Sequence, residues 1–201
     1  MANSLPQKFD LVVLISGSGS NLQAIIDAID SNNLAVSIKA VISNKHDAYG
    51  IQRAKNAGIN TEILEHKNYP DRNDFDQQLI KIIDKYHPDL LVMAGFMRIL
   101  SDDFINHFRN KMINIHPSLL PKYKGLHTHK RALEAGEKEH GLTIHYVTSE
   151  LDSGPILKQV KVPVLTGDTE QTLASRVLEQ EHIAYPEVIQ WIANKKLSDM
   201  A

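Results

Sequence analysis

LVVLISGSGSNLQAII, residues 11–26, holds three signals in one order: a short apolar run, a turn of glycine and serine, and a helical stripe. The run at 11–15 is apolar without alternation, as expected of a strand buried on both faces. After Ser20, read as the helix N-cap, Leu22, Ile25, Ile26 and Ile29 recur at the spacing of one helical face. The same rhythm continues down the chain. Further strands are predicted at 38–42, 90–93, 112–115 and 142–147, with an edge piece at 156–164, and Phe75, Leu79, Ile82, Ile83 and Tyr86 mark a second helix. Strands alternating with helices predict an α/β fold: a single doubly wound, mostly parallel sheet with helices on both faces. We read residues 1–201 as one domain, with a phosphate-binding half at about 8–108 and a second half at about 109–195.

Composition narrows the classes of partner. The formal net charge of −2 supplies no positive field for nucleic acid or an anionic membrane, so small molecules are the expected partners. No basic region followed by an apolar stretch opens the chain, and no run long enough to span a bilayer occurs, so a cytoplasmic protein is expected. The absence of cysteine removes disulfides, thiolate metal sites and thiol nucleophiles. A homodimer stays open.

Gly17, Ser18, Gly19, Ser20 and Asn21 join the first strand to its helix. Glycines let backbone N–H groups approach an anion, and a helix N-terminus adds partial positive charge. The alternative is a tight turn without a ligand. Leu22 stands where a dinucleotide fingerprint has its third glycine, and no Gly-Lys-Ser/Thr follows as in a P-loop, so a single phosphate fits best.

In Met112-Ile113-Asn114-Ile115-His116, alternation turns Asn114 and His116 to the same face at the end of a strand. An amide and an imidazole side by side can donate to one developing oxyanion, which is what acyl transfer requires. The competing reading is a turn-capping Asn and a satisfied histidine.

From Asn114 the chain reads NIHPSLLPKYKGLHTH, and ELDSGP follows at 150–155. With ISGSGSNLQAI, AGFMRILS and QEHIAYP in the same order, residues 11 to about 192 resemble the folate-dependent formyltransferases. The resemblance implies formyl transfer in purine synthesis from the co-substrate 10-formyltetrahydrofolate to the amine of phosphoribosylglycinamide, with no metal. It implies that Asn114, His116 and Asp152 are catalytic, and that Gly17, Ser18, Gly19, Ser20, Asn21 and Glu181 bind the phosphoribosyl acceptor. Folate binding falls to Met97, Arg98, Ile99 and Leu100, to Asn114, to Thr148, Ser149, Glu150, Leu151 and Asp152, and to Arg72 for the glutamate tail. Lys124 and Ser153 depart from the family pattern, which has Pro at the first and often Gly at the second. Methionyl-tRNA formyltransferases add a C-terminal domain and formyltetrahydrofolate hydrolases an N-terminal one, for which this chain is expected to have no room.

Other readings of the same residues stand beside these. Asp152 suits an ordinary turn cap, and Arg98 a strand-end surface arginine. Glu181 lies on the inward stripe of Leu173, Val177, Ala184, Val188 and Ile192, so it faces either a polar cleft or, as a helix-end residue, solvent. Pro186 is expected to kink or break that helix. His127 and His129 have a spacing found in some metal sites, but with no cysteine and no acidic ligand between them they are assigned to the region of the mobile loop, 117–128, near the substrate. The competing functions are a 10-formyltetrahydrofolate hydrolase and a non-enzymatic phosphosugar or folate binding module.

Overall fold

One seven-stranded sheet contains β1 (Phe9–Ile15), β2 (Val36–Ser43), β3 (Asn60–Ile63), β4 (Leu90–Met93), β5 (Met112–His116), β6 (Glu139–Tyr146) and β7 (Ile156–Pro163). The helices are α1 (Ser20–Asp30), α2 (Tyr49–Asn56), α3 (Arg72–Asp84), α4 (Asp102–His107), α5 (Thr128–Glu134) and α6 (Glu170–Asp199). The computed structural model describes residues 9–199, so the reading made above of the first eight residues lies outside the described residues.

Side-chain alternation along β1 divides two cores. Leu11, Val13 and Ile15 face one side with Val41, Val92 and Ile113, under Leu22 and Ile25 of α1 and Val177 and Tyr185 of α6. Val12 and Leu14 face the other with Ile42, Leu91 and Met93, under Phe75, Leu79 and Ile83 of α3 and Phe104 of α4. Both faces of β1 are therefore covered, which is why its sequence does not alternate.

The strand order is β3-β2-β1-β4-β5-β6-β7. Pairing is parallel from β3 through β5 and antiparallel for β6 and β7. β2 and β3 build outward on one flank of β1, and β4 returns to the other. That reversal opens a crevice at the carboxyl ends of β1 and β4, the usual ligand position in open α/β sheets.

Several expectations are corrected. β3 was missed because Asn60-Thr61-Glu62-Ile63 has no apolar run; as an edge strand paired only with β2 it does not need one. Strand β6 begins at Glu139, three residues before its apolar stretch, because its pairing with β7 continues to Pro163. Gly19, at φ 69°, is the N-cap of α1, and Ser20 is already helical. Tyr86 lies beyond the end of α3. Helix α6 runs on through Pro186, since buried residues on both sides, Val177 and Ala184 before it and Ile189 and Ala193 after it, hold the same face to the core.

Candidate active site

Strand β1 ends in the glycine turn because Ser16 is tied down: its N–H donates to the Gly95 carbonyl (3.0 Å), and its hydroxyl joins Asn44 and the Met97 N–H. The turn then folds against α2, where the Gly50 N–H donates to the Gly17 carbonyl at 3.0 Å. A Cβ on Gly19 would lie 2.6 Å from the Gly50 Cα, so backbone must meet backbone here. The N–H groups of Gly17, Ser18, Gly19 and Ser20 carry no hydrogen bond among the described residues. Four consecutive donors at the start of a helix are the backbone pattern from which anion-binding turns are built.

Asn21, the next residue, is buried and donates to Glu181 Oε2 at 2.7 Å, while its own Oδ1 is buried without a partner. Burial pushes the Glu181 carboxyl above its ordinary value, and the Asn21 hydrogen bond opposes that rise. Glu181 is thus inward-facing, 6% exposed, and not a solvated surface acid. One turn later the Tyr185 hydroxyl donates to the Met93 carbonyl at 2.9 Å, which pins this part of α6 to the ends of β4 and β5.

Asn114, His116 and Asp152 come together, although His116 and Asp152 lie 36 positions apart in the chain. His116 Nδ1 lies 3.5 Å from Asp152 Oδ2, and both side chains are more than nine-tenths buried. The same Asp152 oxygen accepts the Gly125 N–H at 2.8 Å. His116 Nε2 donates to the Tyr123 carbonyl at 2.9 Å. Alternation placed Asn114 and His116 as paired free donors, whereas the structure engages both nitrogens of His116 and draws Asn114 toward a fourth residue.

That fourth residue is His145, opposite Asn114 across the β5–β6 pair. Its Nδ1–H donates to the Tyr146 carbonyl at 2.9 Å, so Nε2 is free to accept from the Asn114 amide at 3.4 Å. Burial holds His145 below its ordinary value, and a neutral ring is the form these two contacts require. Asp152 Oδ1 lies 3.9 Å from His145 Nε2. Sequence reasoning missed His145 because its place depends on antiparallel register, and nothing local to residues 142–147 reveals its partner.

Two cavities meet at these side chains. The smaller, about 70 Å³, is lined by Arg98, Ile99 and Leu100 and by 148–152, and the larger, about 530 Å³, by Met97, His116 and His129 and by Glu170 at the start of α6. Asn114 and Asp152 line both. The Arg98 guanidinium stacks 4.3 Å from the Phe75 ring centroid, so it is not a simple surface arginine. Exposed Met97, Ile99, Leu126 and Leu151 give this opening an apolar rim. Arg72 is exposed in the first turn of α3 and lines neither cavity.

The 117–128 stretch, expected to be a mobile loop, is held at several points. Ser118 donates to the Lys122 carbonyl, the Leu120 N–H to Thr143, and Arg131 to the Lys124 carbonyl. Lys124 and Ser153, the two departures from the family pattern, bond to each other across the rim, and Lys124 also pairs with Glu150 at 2.9 Å. His127 caps α5, while His129 Nδ1 meets His140 Nε2 at 3.2 Å. Among the described residues no group of three or more His, Asp or Glu could hold a metal ion.

Comparison with known proteins identifies the family of the chain. The model of the formyl transferase family matches residues 9–189. Escherichia coli phosphoribosylglycinamide formyltransferase is 54% identical over 188 residues, which is 94% of this chain and 89% of that one. The human trifunctional purine biosynthetic protein adenosine-3 is 44% identical over 94% of this chain, but only 19% of its own length is covered. The solved phosphoribosylglycinamide formyltransferase of Coxiella burnetii superposes with a TM-score of 0.90 at 54% identity, covering 94% of this chain and 89% of that one. Glycinamide ribonucleotide transformylase 1 of Symbiobacterium toebii gives 0.91 at 43%, with the same two coverages. Matched along nearly all of its described residues in both sequence and fold, this chain belongs to the formyl transferase family.

Proposed function

We propose that this enzyme transfers the formyl group of 10-formyltetrahydrofolate to the amine of phosphoribosylglycinamide, giving formylglycinamide ribonucleotide and tetrahydrofolate in purine biosynthesis. The observation that carries the reading is the junction of two cavities at Asn114 and Asp152, with His116 lining the larger. A donor and an acceptor substrate can meet there. The folate ring system is assigned to the side of Arg98, Ile99, Leu100 and 148–152, where the smaller cavity adjoins the apolar rim of the larger. The acceptor's phosphate is assigned to the amides at 17–20, unpaired among the described residues, and its ribose hydroxyls supply donors for Glu181, a buried carboxylate that accepts from Asn21.

The neutral amine attacks the formyl carbon, and the carbonyl oxygen becomes an oxyanion as the tetrahedral centre forms. Asn114, oriented by neutral His145, donates an amide N–H to that oxygen. His116 joins it by exchanging the Tyr123 carbonyl for substrate at Nε2, while Asp152 stabilises the charged imidazole and holds its angle. Contacts of this kind commonly reorganise when substrate binds. Collapse expels the folate nitrogen, which takes a proton, and the attacking nitrogen loses one. Each donor to the oxyanion contributes about 2.7–4 kcal/mol in the transition state.

The test is tetrahydrofolate release from 10-formyltetrahydrofolate with and without phosphoribosylglycinamide. Release that depends on the acceptor supports transfer. Equal release without it identifies a hydrolase, and binding without release identifies a non-enzymatic module.

A further inference from the structure

The turn at 16–21 contains no Lys, Arg or His, yet a phosphate monoester carries about −1.5 to −2 charge near neutral pH. Among the described residues the cation hydrogen-bonded to this turn is Arg53, three residues along α2 from the Gly50 that meets Gly19. Its Nε donates to the Ser18 carbonyl at 2.9 Å, and its Nη1 to Gln23 Oε1 of α1 at 3.0 Å. The guanidinium lies 5.0 Å from the Tyr49 ring centroid, so it is braced on three sides. Its Nη2 has no hydrogen-bond partner among the described residues.

These contacts determine where the loop amides point. In a trans peptide the carbonyl and the following N–H face opposite ways. Gly50 holds the Gly17 carbonyl and Arg53 holds the Ser18 carbonyl, both from the α2 side. The N–H groups of Ser18 and Gly19 are therefore turned away from α2, toward the open cradle. The charge of Arg53 also reaches α6: His182, next to Glu181, is held below its ordinary value by burial first and by Arg53 second. Asn21 Oδ1, buried without a partner, independently marks this region as one that a ligand completes.

We infer that Arg53 is a positioning residue for the acceptor's phosphate: through the Ser18 carbonyl it aligns the Ser18 and Gly19 amides, and from behind the turn it supplies the cationic charge that the turn lacks. The inference rests on reading residues 17–21 as the phosphate site. Lysine would keep the charge but not the planar fork that spans Ser18 and Gln23.

The experiment compares kcat/KM for phosphoribosylglycinamide with that for the same ribosylamide without phosphate, in the wild type, Arg53→Met and Arg53→Lys. The ratio of the two is independent of how much of each preparation is folded. The expected result is a wild-type preference for the phosphorylated acceptor that falls by about tenfold or more in Arg53→Met and by less in Arg53→Lys, in keeping with loss of a charge-assisted hydrogen bond. Competitive inhibition by inorganic phosphate should weaken in the same order. An unchanged ratio in Arg53→Met, with the wild-type preference intact, overturns the role of Arg53 and leaves the phosphate loop standing. A wild type that does not prefer the phosphorylated acceptor overturns both.

Discussion

Gly19→Ala is the sharpest probe of the anion cradle because its cost can be worked from two independent features. The residue sits at φ +69°, where an L side chain costs about 1–2 kcal/mol. The new Cβ would also lie 2.6 Å from the Gly50 Cα and 3.4 Å from its nitrogen, so either the turn or the start of α2 must move by several tenths of an ångström. Overpacking of that kind adds about 1–3 kcal/mol, for an expected total of roughly 2–5 kcal/mol by urea denaturation. The displacement moves the amides of residues 17–20, so KM for phosphoribosylglycinamide should rise about tenfold or more while KM for the folate donor changes little, as for loss of a contact remote from the reacting amine. Gly17→Ala is the internal comparison for stability: its Cβ meets nothing within 4 Å, and the change should stay within about 0.5 kcal/mol. If Gly19→Ala is as stable as Gly17→Ala and binds the acceptor normally, the close approach of turn and α2 does not build this site.

Three further expectations follow from the site. His116→Ala should lower kcat by about 10² or more, and adding Asp152→Asn should cost little beyond it, since Asp152 acts through His116; additive costs in the double variant would make Asp152 a turn residue only. Glu181→Gln should raise KM for phosphoribosylglycinamide by about ten- to a hundredfold, the loss of a hydrogen bond to a charged group, while stability at neutral pH holds or increases because a carboxylate penalised by burial is removed; an unchanged KM separates Glu181 from the acceptor. His140, 1% exposed, is pushed down to about 4 by burial first and then by His129. Between that value and its ordinary one the unfolded chain binds a proton that the folded chain does not. The contribution is therefore complete above about pH 6.5 and is lost as pH falls toward 4, by up to about 3 kcal/mol, and urea midpoints at pH 7.5 and 5 should converge in His140→Gln.

The α/β class, six of the seven strands within a few residues and the glycine turn were legible in the sequence because each is a local pattern. Burial on both faces removes alternation from β1, and α1 needs one apolar stripe and a glycine before it. Asn114 and His116 were placed on one face by period two alone. The resemblance to a family then supplied Asp152 and Glu181, whose local surroundings suit a turn cap and a helix-borne acid equally well. Tertiary structure decided the rest. Edge strand β3 has no pattern because it has only one neighbour, and α6 passes through Pro186 because packing on both sides outweighs the missing hydrogen bond. His145 reaches Asn114 only through the antiparallel register of β5 and β6, and Tyr123 offers its carbonyl to His116 only because the 117–128 loop is tied back over the strand end. Arg53 meets the glycine turn because α2 docks where two glycines allow backbones to touch. Contacts between residues dozens of positions apart leave no periodic trace in the chain, so the chemistry of each residue could be read from the sequence but its partner could not.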